Sequence, residues 1–254
     1  WTRYDSDPNS WRTRYIGEAL QNAFSLSTYG FDHIIGNCNS APAWLKTNGQ
    51  HNGGGTLITN GESEFSEFLV AFLTGMESRY GIEVTAISPT NEPDYEVSYE
   101  SMNTTPSELS NILINLNARL SNSGLDHIDI VSPECFRVES QNSSTSATNY
   151  INSMFNNSAV EEAVDIVGTH TYADPNHNAN WSALKAASNG KPVWVTESAY
   201  LQSTDQSMSD AANYIKWILR GFNEGGVTAY MLHLFYEQAD NDGYSSLVAW
   251  TPTG

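Results

Sequence analysis

The chain has 254 residues, enough for one large domain with a core of its own. Eleven basic residues stand against 29 acidic ones, a formal net charge of −18, so nucleic acid is not an expected partner, since phosphate contacts need clustered Lys and Arg. No stretch approaches the roughly 20 apolar residues of a membrane span, so no membrane partner is expected either.

The charge also repels an acidic ligand at long range. The chain opens at Trp1 rather than Met and shows no signal peptide. Its four lysines (Lys46, Lys185, Lys191 and Lys216) sit among many Asp, Glu, Asn and Ser residues, a balance that suits a secreted or salt-adapted protein. Cys38 and Cys135 each follow an apolar run and are expected as free interior thiols. Neither they nor the six histidines have zinc-ligand spacing, so no metal or other cofactor is expected.

Taken in chain order, apolar β-rich runs alternate with amphipathic stretches. A helix is expected over Trp11–Thr28, then a strand over Phe31–Ile35. Helix Ser63–Tyr80 precedes strand Val84–Ser88, and helix Pro106–Ser123 precedes strand Ile128–Val131. Helix Ala147–Ala163 leads to strand Asp165–Thr169, helix Ala179–Ser188 to strand Pro192–Thr196, and helix Asp210–Glu224 to strand Val227–Leu232. Nearly continuous apolar runs fit strands buried on both faces, as in parallel sheets. Thr105-Pro106 offers an N-cap followed by proline at the first helical position, and Gly61, Gly81, Gly124 and Gly225 are expected to stop helices. Six βα units point to a barrel or a doubly wound sheet. The dinucleotide motif GxGxxG is absent, and Asn52-Gly53-Gly54-Gly55 lies in mid-loop, so it is expected to be a flexible loop rather than a phosphate cradle.

A barrel carries its chemistry at the C-terminal ends of its strands. Val84–Ser88 runs into Pro89-Thr90-Asn91-Glu92-Pro93, and Val193–Thr196 runs into Glu197, 105 residues after Glu92. Two facing carboxylates are the minimum apparatus for glycosidic cleavage: one carries a proton to the leaving group, and the other is ionised and attacks the anomeric carbon. Glu134 and His170 also close strands. With two glutamates supplying the acid/base work, His170 is expected to be a hydrogen-bonded structural residue.

Asn-Glu-Pro after one strand, with a second Glu closing a later one, resembles the clan of retaining (β/α)8 glycosidases. More of the chain resembles glycoside hydrolase family thirty: Asn39-Ser-Ala-Pro-Ala-Trp-Leu-Lys-Thr-Asn-Gly49, Ile87-Ser-Pro-Thr-Asn-Glu-Pro-Asp-Tyr95, Tyr99-Glu-Ser101, Ser132-Pro-Glu134, Gly168-Thr-His-Thr-Tyr172 and Val193-Trp-Val-Thr-Glu197, in the family's order.

The resemblance implies an α/β fold of the (β/α)8 TIM-barrel type, with residues 1–254 as a single truncated catalytic domain lacking the first strand and the usual β-sandwich. It implies Glu92 as general acid/base, Glu197 as nucleophile, Asn91 on the sugar 2-hydroxyl and Tyr172 beside the nucleophile. Trp44 and Tyr95 would wall the sugar subsites, and Arg3 looks like the arginine-bearing end of the second strand. The counterpart of Glu134 is not catalytic.

Two short stretches depart from the family. Relatives carry tryptophan near Leu232-His233, where His233 would here be a polar floor. Tyr236 and Glu237 occupy positions where glucuronate-reading xylanases carry arginine, so cleavage directed by glucuronate is not expected. The implied protein is a monomeric, secreted endo-β-glycosidase acting on a polysaccharide. Asp94-Tyr95 and Tyr99-Glu100-Ser101 resemble the xylanase branch, whereas Asn39-Ser40 and Ser88-Pro89 resemble the endo-β-1,6-galactanases; xylan is the leading expectation, with β-1,6-galactan or β-1,6-glucan as alternatives. A catalytically impaired carbohydrate-binding barrel is the alternative from another class. A different hydrolase is disfavoured, because no Gly-x-Ser-x-Gly elbow is present.

Overall fold

The computed structural model describes residues 11–26, 33–139, 145–172, 179–199, 208–233, 236–238 and 248–250. Helix α1 (Trp11–Leu26) leads to β1 (Ile35–Asn37), α2 (Glu62–Tyr80), β2 (Ala86–Ser88), α3 (Pro106–Asn122) and β3 (Asp129–Cys135). There follow α4 (Ala147–Met154), α5 (Ser158–Ala163), β4 (Ile166–His170), α6 (Trp181–Ala187), β5 (Val193–Glu197), α7 (Met208–Arg220) and β6 (Val227–Tyr230). Short strands β7 (Tyr236–Gln238) and β8 (Val248–Trp250) pair with each other. No described helix is long and apolar enough to cross a membrane.

Strands β1 to β6 form one parallel sheet in strict sequence order. A doubly wound sheet reverses its order at a switch point; this one does not, which selects the barrel-like of the two expected architectures. Alternation along the strands separates two apolar layers. Ile87, Ile130, Val167, Val193, Val195 and Val227 belong to the large core that includes the helices. Ala86, Val131, Ile166 and Trp194 form a second cluster, with Ile35, Ala229 and Met231 against it. This second cluster is the inner lining of the curl.

The helices form for local reasons. Thr105 caps α3 through a full capping box: its hydroxyl accepts from the Glu108 N–H and the Glu108 carboxylate accepts from the Thr105 N–H, with Pro106 in the first turn. The helix buries Leu109, Ile112, Leu113, Leu116 and Leu120, and truncating one such leucine to alanine costs about 2–5 kcal/mol. Gly81 ends α2 in the left-handed conformation at φ +65°, returning its N–H to the Glu77 and Met76 carbonyls.

Four local expectations change. Gly61 stands at the start of α2 rather than at a stop. The left-handed cap after α7 and its π-helical extension Gly221–Gly225 is Gly226, not Gly225. The single helix expected over Ala147–Ala163 is two, because Asn157 caps a fresh start by accepting from the Ala159 N–H. The glycine-rich loop is tied down rather than loose: the Asn48 amide donates to the carbonyls of Asn52, Gly53 and Gly54, and the Gly54 N–H donates to Ser101 Oγ. Both cysteines are free, Cys135 buried and Cys38 half-buried.

Candidate active site

Because all six strands run in parallel, their C-terminal ends share one edge, and the sequence places its ionisable residues there. Glu92 follows β2, Glu134 lies in β3, His170 closes β4 and Glu197 closes β5. Register shifts mark this edge: Glu134 is passed over between Pro133 and Cys135 where β3 pairs with β4, and Thr196 is passed over where His170 pairs with Glu197. Such irregularities re-aim side chains and recur beside active sites. Glu92 and Glu134 also hold left-handed backbone, at φ +44° and +64°, a conformation that costs a non-glycine residue roughly 1–3 kcal/mol and collects at functional sites.

The four groups meet at His170, which is fully buried. Its Nδ1 lies 2.9 Å from Glu92 Oε1, its Nε2 lies 3.1 Å from Glu134 Oε2, and Glu197 Oε2 is 3.8 Å from the same Nε2. Burial alone would push the imidazole pKa down. The hydrogen bonds to Glu134 and Glu92, with the charges of Glu134 and Glu197, outweigh it and raise the pKa to about 10. His170 is therefore an imidazolium at neutral pH, donating from both nitrogens. Glu134 is completely buried; its Oε2 also accepts from the Thr196 hydroxyl, and its main-chain carbonyl accepts the Glu92 N–H at 2.9 Å.

Glu197 is the more accessible carboxylate, its side chain 24% exposed against 8% for Glu92. Tyr172 donates its hydroxyl to Glu197 Oε1 at 2.6 Å, and His233 Nδ1 lies 3.8 Å from the same oxygen. Burial first, and the Glu197 charge second, push the Tyr172 hydroxyl far above the usual phenol range, which keeps it a donor. Glu92, His170 and Glu197 each contribute one atom to a cluster in which all three lie within 4.8 Å of one another. Both ring nitrogens of His170 are engaged by carboxylates, Nδ1 by Glu92 and Nε2 by Glu134, and the cluster offers the groups that acid/base chemistry needs.

Aromatic rings extend from this cluster. Tyr95 stacks on Phe136 with centroids 4.3 Å apart and planes 8° apart, and Phe136 leans on Tyr172 at 5.5 Å. Asp94 holds Phe136 in place by accepting its N–H at 2.9 Å. Tyr95, Tyr99 and Trp44 are exposed. Partial burial and then the charges of Glu92 and Glu197 raise the Tyr99 pKa, so Tyr99 stands within electrostatic reach of both. Lys46, buried beneath the Trp44 turn, donates to Ser40 Oγ and the Ser101 carbonyl and so joins the 39–49 loop to the loop carrying Tyr99. Asn91 is anchored through its amide oxygen, which accepts from Asn37 Nδ2 at 2.9 Å.

Of the residues singled out from sequence, Glu92, Glu197, Tyr172 and His233 thus come together directly. Tyr95 joins them through Phe136, and Asn91 adjoins Glu92 in the chain. Trp44 lies outside the hydrogen-bonded cluster, and Arg3 lies outside the described residues. Sequence reasoning missed Asn37, Phe136 and Thr196, and it noted Glu134 and His170 without seeing that they contact each other.

Carboxylates gathered at the C-terminal edge of a parallel barrel-like sheet define a site of the glycoside-hydrolase class. The model of glycosyl hydrolase family 59 matches residues 34–249, and the chain belongs to that family. Among curated proteins it is similar to the glucuronoxylanase XynC of Bacillus subtilis (strain 168), 27% identical over 179 residues that cover 69% of this chain and 38% of that protein. Among solved structures it is similar to the catalytic domain of GH30 xylanase C from Talaromyces cellulolyticus (TM-score 0.72, 20% identity, 89% of this chain and 52% of that one). It is also similar to the endo-β1,6-glucanase BT3312 (TM-score 0.71, 16% identity, 91% and 51%). The chain thus spans well under two thirds of these relatives' lengths. The expected barrel-like glycosidase fold is shown: the matching family model is that of family 59, and the fold is like that of the GH30 xylanase.

Proposed function

We propose that the chain is the catalytic barrel of a secreted, retaining endo-β-glycosidase of the family-thirty type, with xylan as its leading substrate. The observation that carries this reading is the approach of Glu92 and Glu197, whose nearest carboxylate oxygens lie within 4.8 Å of each other. Retaining enzymes hold their two carboxyl groups about 5–5.5 Å apart, whereas inverting enzymes need roughly 6.5–9.5 Å to admit a water between them.

Glu197, the more exposed carboxylate, attacks the anomeric carbon while Glu92 protonates the departing glycosidic oxygen. A glycosyl-enzyme forms on Glu197. Glu92, now ionised, takes a proton from water, and the water oxygen displaces Glu197 to release the sugar with net retention. Tyr172 orients Glu197 through its short hydrogen bond. Asn91, its carbonyl oxygen engaged by Asn37, turns its amide nitrogen to the sugar 2-hydroxyl. Tyr95, backed by Phe136, and Trp44 offer rings for sugar faces, and His233 forms a polar floor beside Glu197. Arg3 is assigned to substrate contact from its sequence position.

A product screen on xylan, β-1,6-galactan and β-1,6-glucan tests the proposal, with Glu197→Gln as the control. Reducing sugar should appear fastest from xylan and vanish in the variant. Binding of oligosaccharide without release of reducing sugar would instead identify a carbohydrate-binding barrel.

A further inference from the structure

Glu134 has no part in the double displacement, yet several features converge on it. It is wholly buried and sits at a register shift with a left-handed backbone. Thr196, at the neighbouring register shift, donates its hydroxyl to Glu134 Oε2. Gly168 on β4 leaves the space the carboxylate fills, since a Cβ there would lie 2.6 Å from Glu134 Oε1. That Oε1 has no hydrogen-bond partner among the described residues. An interior carboxylate held at such cost needs a counter-charge, and the cation it touches is His170, whose other nitrogen touches Glu92.

We propose that Glu134 is a positioning residue for the catalytic acid, acting through His170: it keeps both imidazole N–H groups as donors, so that Oε1 of Glu92 is reserved as an acceptor and the acid's proton is carried on Oε2. The inference rests on the proposed role of Glu92. The groups facing His170 are Glu134 from β3, Glu92 from the loop after β2, Glu197 from β5, and the Tyr172 ring, edge-on at 5.8 Å. The Glu134–His170 pair is neutral as a unit. Without Glu134, a neutral imidazole can present a lone pair at Nδ1, accept a hydrogen bond from the protonated Glu92 carboxyl, and so hold the acid's proton on Oε1, turned away from the leaving group.

The test compares Glu134→Gln, nearly isosteric but uncharged, with Glu134→Asp, shorter but charged. Three readouts are taken: nitrogen NMR of the His170 ring, thermal melting, and turnover of both xylan and an aryl xyloside whose leaving group needs no protonation. The Gln variant is expected to show His170 as a neutral imidazole near pH 8 and to lose roughly 10- to 100-fold in kcat on xylan, up to the lower limit of what general acid catalysis supplies. It should keep most of its turnover on the aryl xyloside. The Asp variant should restore the imidazolium and part of the loss.

Equal losses on both substrates, or a His170 that stays cationic in the Gln variant, would overturn the proposal. If the native protein releases no sugar from any glycan, the proposed function fails separately. The NMR arm then still decides whether Glu134 sets the charge of His170.

Discussion

Replacing Gly168 by alanine adds one methyl group at the most crowded point of the site. The φ angle of Gly168 is not positive, so alanine meets no backbone penalty and the effect is purely steric. The new Cβ would lie 2.6 Å from both Glu134 Oε1 and Val131 Cγ1, and 2.9 Å from Glu134 Cδ. Val131 is fully buried in the inner lining and cannot retreat. Overpacking of this kind costs about 1–3 kcal/mol. If Glu134 swings aside to relieve it, its charge-assisted bond to His170 is lost as well, at about 1.5–3 kcal/mol. A total of about 2.5–6 kcal/mol is a large share of the roughly 5–15 kcal/mol that holds a domain folded, and it lowers the melting temperature on the order of 10 °C. Urea unfolding of the two proteins measures it directly, and glycan hydrolysis by the folded variant should fall alongside. An alanine variant that unfolds at the same urea concentration and hydrolyses at the native rate would refute the close packing of Gly168 on Glu134.

Three further outcomes are expected. Tyr172→Phe keeps the ring but removes the donor to Glu197; at about 1.5–3 kcal/mol for a hydrogen bond to a charged group, kcat/KM should drop roughly 10- to 150-fold with little change in melting temperature. The folded pKa of His170, about 10, lies above its ordinary 6.5, so its contribution to stability is complete below about pH 6.5 and is lost as pH rises through 10; urea midpoints measured from pH 6 to pH 11 should fall across that window, and the fall should shrink in His170→Gln. Thr105→Ala breaks the capping box of α3, which among the described residues makes no hydrogen bond to the His170 cluster, and should cost about 1 kcal/mol in urea unfolding, while hydrolysis at 25 °C stays at the native rate.

Much of this architecture is legible in the sequence. The apolar runs at Val84–Ser88, Asp165–Thr169 and Pro192–Thr196 all become strands, because a run buried on both faces has few other stable forms. Glu92 and Glu197 are visible because each stands where such a run stops. The contacts of Glu134 are not legible. They depend on register shifts between β3, β4 and β5, which arise from how neighbouring strands twist and pack rather than from any residue type in those strands. The charge of His170 is hidden for a related reason. Its ring reads as a hydrogen-bonded histidine, which it is, but its protonation follows from three carboxylates brought in from three other segments. The break between α4 and α5 could have been seen in Asn156-Asn157-Ser158, a run rich in capping residues within an otherwise helical pattern.

The central claim is that Glu197 forms a covalent bond to the sugar and Glu92 supplies the proton. The most direct measurement is trapping with a 2-deoxy-2-fluoro xylobioside bearing an activated leaving group, followed by mass analysis of the digested protein. The account predicts one xylobiosyl adduct on the peptide containing Glu197, and none in Glu197→Gln. An adduct on Glu92, or native turnover whose first-formed product has the inverted anomeric configuration, would contradict it.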